Sequence, residues 1–77
     1  MQPEKLVYMA NQVAAYFVTQ PGDVAAEAVA DHLRRFWEPR MRAAIIAYLE
    51  SGGAGLAPTA AEAVRRLSAG THRNAVS

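Results

Sequence analysis

Three features of the sequence predict an all-α fold: an alanine-rich composition, apolar residues recurring every three or four positions, and prolines and glycines placed where helices start and stop. Seventeen of the 77 residues are alanine, which loses no side-chain entropy on entering a helix. No alternating β-branched run competes for a strand. The expected architecture is a small antiparallel helical bundle of three main helices plus a short C-terminal helix, with lengths of roughly 16, 15, 12 and 10 residues.

Each element has its own signals. Pro3 precedes a segment in which Leu6, Met9, Ala10, Val13, Ala14 and Phe17 fall at helical spacing. Pro21-Gly22 ends it, and Asp23 is placed to cap the next helix. There Ala25, Val29, Leu33 and Phe36 form the inward stripe, so Phe36 is expected in the core. Pro39 disfavours a helical Glu38 and suits the first turn of a third helix, whose stripe is Met41, Ile45, Tyr48 and Leu49. The run 51–55, Ser-Gly-Gly-Ala-Gly, is a stop, with Gly52 or Gly53 suited to a left-handed C-cap. Pro58 opens the last helix, with Ala60, Val64 and Leu67 turned inward. A single helical domain is expected over 1–69 and a flexible tail over 70–77, where periodicity ends.

Length and composition bound the function. Alanine aside, 23 larger apolar residues remain to build a core, and a chain this small buries only about 60–65% of its unfolded surface. There is no cysteine, which removes disulfides, thiolate metal sites and cysteine nucleophiles. No stretch approaches the roughly 18 apolar residues that cross a membrane. The N-terminal MQPEKLVYMANQ carries acid and amide groups where a signal peptide needs an apolar run. A cytoplasmic location is therefore expected.

Catalytic and metal chemistry find little support. Of the two histidines, His72 lies in the expected tail, and His32 has only Glu27 and Asp31 near it on the helix, with no serine or threonine. Zinc needs three or four well-placed ligands, and this cluster offers neither an i,i+4 histidine pair nor a Glu-x-x-His step. The Gly-rich run follows a helix and lacks the strand and lysine of a phosphate loop. The chain is not expected to be an enzyme by itself.

Its densest segment is HLRRFWEPRMR, 32–42, with four arginines and the only tryptophan. One reading is a nucleic-acid regulator, with Arg34, Arg35, Arg40 and Arg42 on phosphates and Trp37 or Phe36 stacked on bases. The rest of the chain carries more acidic than basic groups, and the net charge is only +1. The other reading is a protein-docking surface, since Trp, Tyr and Arg are the residues enriched at binding hot spots. Trp37 either caps the end of the bundle at the Glu38-Pro39 corner or anchors another chain. Helix one also spreads Val7, Tyr8, Tyr16 and Val18 around its circumference, with Asn11 and Gln12 able to serve backbone groups of a partner. The candidate partner-binding residues are Tyr8, Asn11, Gln12, His32, Arg34, Arg35, Trp37, Arg40 and Arg42. A homodimer of the isolated chain is a further way to cover the apolar excess.

Three stretches also carry a resemblance. KLVYMANQVAAYF at 5–17, HLRRFWEPRMRAAIIAYL at 32–49 and GGAGLAP at 52–58 resemble, in order and spacing, the delta subunit of soluble NAD-dependent formate dehydrogenase. The likeness spans residues 5 to about 67. It implies a non-catalytic accessory subunit that binds the large alpha subunit and supports assembly, cofactor retention or stability. It further implies beta and gamma partners and a complex carrying a molybdopterin-type molybdenum or tungsten cofactor, iron–sulfur clusters and FMN, none of them held by this chain.

Overall fold

The computed structural model describes the backbone of residues 2–76 and the side chains of residues 2–69. Among the described residues there are four helices and no strand: α1, Pro3–Tyr16; α2, Gly22–Phe36; α3, Pro39–Glu50; and α4, Pro58–Val76. Proline stands at the first turn of α1 and α3, where its missing N–H goes unmissed and its fixed φ already suits a helix. Asp23 is not the cap expected of it. Pro21 holds that position, its carbonyl accepting from the Ala25 N–H at 2.8 Å. Asp23 sits instead in the first turn, where a carboxylate still faces the positive end of the helix.

The turn after α3 closes as the sequence suggests. Gly52 N–H donates to the Leu49 carbonyl and Gly53 N–H to that of Tyr48, each at 3.0 Å. This is the paired-bond pattern of a Schellman cap. Gly53 has φ +67°, and a Cβ there would lie 2.7 Å from Leu49 Cδ1. The positive φ is what calls for glycine; the Leu49 methyl, at the end of its side chain, can move aside.

The main departure is α4. It runs for 19 residues rather than about ten, and its helical backbone continues through the stretch expected to be a tail; the side chains of 70–77 lie outside the described residues. Nor is α4 an accessory to a three-helix core. Ala60, Ala63, Val64 and Leu67 are buried with Leu6, Ala10, Val29, Leu33 and Ile45 in one cluster, and α4 is the principal packing partner of α2. Many of these side chains are alanines, which let helix axes approach closely but leave little depth of core.

An arginine joins α4 to the start of α2. Arg66 reaches Asp23 Oδ1 at 3.3 Å, Glu27 Oε1 at 3.4 Å and Glu62 Oε2 at 3.2 Å. Its bond to Glu62 holds that carboxyl below the ordinary carboxylate range, against the opposing effect of burial and with help from Arg65. The same bond holds the Arg66 guanidinium above its usual value.

Candidate protein-docking face

Phe36 leaves the place the helical stripe assigns it, and Trp37 takes the first of its two expected positions, at the end of the bundle. Phe36 is 71% exposed and Trp37 only 6%. The buried stripe of α2 is centred on Leu33. At 100° per residue, Trp37 lies about 40° from Leu33 and Phe36 about 60° away on the other side. The chain also leaves the helix at Trp37, which is extended (φ −89°, ψ 139°), and its indole joins the core. Trp37 therefore closes the bundle at the Glu38-Pro39 corner and is not an external anchor.

Two more of the expected contact residues work inside the chain. Asn11 Nδ2 donates to the Gly55 carbonyl at 2.9 Å, and its Oδ1 accepts from the Ala57 N–H at 2.9 Å. It does serve backbone groups, but those of its own α3–α4 loop. Arg42 donates through Nη1 to the carbonyls of Trp37 and of Arg34, the latter at 3.2 Å. A cation from α3 thus satisfies acceptors left open at the end of α2. Arg34 pairs with Glu27 at 3.5 Å and Arg35 with Asp31 at 2.9 Å, while Arg40 is exposed. The four arginines do not form one free basic row.

What remains on the surface is aromatic. Tyr8 is 64% and Tyr16 81% exposed, one and three turns along α1, with the exposed Gln12 between them. Gln12, Val13 and Tyr16 of α1, Phe17 just past its end and His32 of α2 line a groove of about 440 Å³. Tyr16 meets Phe17 edge to face at 5.1 Å between ring centres. Across the groove His32 lies against Phe36 at 4.8 Å. Each aromatic ring can bury roughly 150–250 Å², so Tyr8, Tyr16 and Phe36 together leave on the order of 300–500 Å² in water, about the area of the largest apolar patch on an ordinary monomer. Of the expected residues, Tyr8, Gln12 and His32 belong to this face. Tyr16, Phe17 and Phe36 were not among them, although the i,i+4 spacings Tyr8-Gln12-Tyr16 and His32-Phe36 are a signal that could have singled out Tyr16 and Phe36.

No group of three or more His, Asp or Glu side chains that could hold a metal occurs among the described residues. Nor, among them, is any helix long and apolar enough to cross a membrane. Among the described residues this is a small all-helical protein. The family model of the NADH-dependant formate dehydrogenase delta subunit, FdsD, matches residues 5–64, and the chain belongs to that family. Comparisons with curated proteins and with solved structures gave no significant match.

Proposed function

We propose that this chain is a non-catalytic accessory subunit that docks on the large catalytic (alpha) subunit of a cytoplasmic NAD-dependent formate dehydrogenase. The observation that carries this reading is the open aromatic face of Tyr8, Tyr16 and Phe36 around the Gln12–His32 groove, on a chain of the delta-subunit family. Rings of this kind, held on rigid helices beside polar groups, are what binding hot spots are made of. The role of the contact is assembly, cofactor retention or stability of the large subunit. The molybdopterin-type cofactor, iron–sulfur clusters and FMN belong to the alpha, beta and gamma partners. His32 and the exposed Arg40 supply polar contacts at the rim.

A tagged copy of the chain, recovered from its own cells with its partners identified by mass, tests the docking. A large molybdopterin-type subunit with formate-dependent NAD reduction is the expected companion. The complex prepared without this chain should lose activity or molybdenum. Full, stable activity and full metal content in its absence would remove the accessory role.

The alternative of a nucleic-acid regulator gains nothing from the geometry. Arg34 and Arg35 face carboxylates and Arg42 is spent on the end of α2. A phosphate-binding surface needs those cations free.

A further inference from the structure

We propose that the outer face of α2 pairs with the same face of a second copy of this chain, the two helices running antiparallel about a two-fold axis. The inference concerns the isolated chain: Phe36 and His32 also belong to the face proposed for the large subunit, so the two contacts exclude one another. Val24, Ala28, His32 and Phe36 follow one another at four-residue spacing, so they form a single ridge. Val24 is 52% and Phe36 71% exposed, and Ala28 and His32 are half-buried between them. A helix inside a four-helix molecule does not need this second apolar line.

Charge along the same helix is divided. Asp23, Glu27 and Asp31 occupy the first two turns and beyond, and Arg34 and Arg35 the last. Asp23, Val24, Glu27, Ala28 and Asp31, all on the outer side of α2, form an open and nearly flat patch against which an aromatic side chain from outside can lie. A two-fold axis at the level of residue 30 makes the surface complementary to itself. Phe36 then meets Val24 of the second copy on that acid-rimmed patch. Ala28 meets His32, and the small alanine lets the helices close up. Arg35, which within one chain holds Asp31 at 2.9 Å in an exposed pair, comes near the Asp23–Glu27 carboxylates, which already hold Arg66, and exchanges its partner across the two-fold axis. A parallel pairing would set acid against acid and arginine against arginine, which selects the antiparallel one.

Sedimentation equilibrium of the isolated full chain, over roughly 1 µM to 1 mM where contacts of modest size dissociate, tests the pairing. The apparent mass should rise from 8.3 kDa towards twice that value. Phe36→Ala, whose helicity by circular dichroism should match the parent, should weaken association at least about tenfold. Because the chain has no cysteine, Val24→Cys and Phe36→Cys report the register directly. Under mild oxidation an equimolar mixture should give the mixed disulfide in preference to either self-disulfide. A mass that stays at 8.3 kDa overturns the self-pairing. A Phe36→Cys chain that links to itself as readily as to Val24→Cys overturns the antiparallel arrangement.

Discussion

Adjacent aromatic residues, Phe36 and Trp37, carry opposite consequences. Trp37 is held within the core cluster, so Trp37→Ala should cost about 3–5 kcal/mol in chemical denaturation, the range for removing a buried large aromatic. Phe36→Ala should stay within about 0.5 kcal/mol, as expected of an exposed position. Equal losses from the two would show that the assignment of inside and outside is wrong. Asn11 makes a different kind of contribution. Its amide meets one donor and one acceptor of the 55–57 backbone, and Asn11→Ala would leave the partly buried Ala57 N–H without its acceptor. A loss of about 1–2 kcal/mol is expected, with faster amide exchange at Ala57. The presence of an amide at position 11 was readable from the chain. That it clamps a loop 44 and more residues away was not, because hydrogen-bond partners at that separation are set by packing.

Helix ends were the most legible elements, since Pro and Gly act through local sterics that need no distant neighbour. Gly53→Ala tests one of them. Its positive φ should make the change cost about 1–2 kcal/mol, whereas Gly22→Ala, where a Cβ meets open space, should be neutral or stabilising. The tie between α4 and α2 gives the pH dependence. Glu62 titrates below its ordinary value of 4.5, chiefly through Arg66. A depressed carboxylate contributes stability above its unfolded value, and that contribution disappears as pH falls through the folded one. The stability gap between the parent and Glu62→Gln should therefore be constant at neutral pH and narrow under acid. A gap that widens with acidification would contradict the ion pair. Arg66, with its value raised, loses its contribution only under strongly alkaline conditions.

At the scale of the molecule, a four-helix core in which seven of the fifteen described buried residues are alanine coexists with an aromatic exterior. Little apolar depth remains for intrinsic stability, and association with another chain adds to it by mass action. Tyr16→Ala and Phe36→Ala should leave the melting of the free chain nearly unchanged while weakening binding to the large subunit by roughly 2 kcal/mol or more each. Calorimetric titration of purified large subunit against each variant would measure this. Unaltered affinity in both would place the docking surface elsewhere.

The sequence by itself determined the all-α class, the positions of the turns and the absence of thiol chemistry, because these depend on residue type and on neighbours a few positions away. The three motifs at 5–17, 32–49 and 52–58 also carried the family likeness, which the match over 5–64 agrees with. Only the tertiary structure decided which apolar residues face in. Two side chains one step apart at the end of α2 both lie within reach of the buried stripe, and the extended backbone at Trp37 turns one inward while the other stays in water. It also decided which polar groups are free. Asn11 and Arg42 read as contact residues in one dimension, and in three they are consumed by carbonyls and an N–H of their own chain. A surface is what remains after internal demands are met, and those demands are long-range.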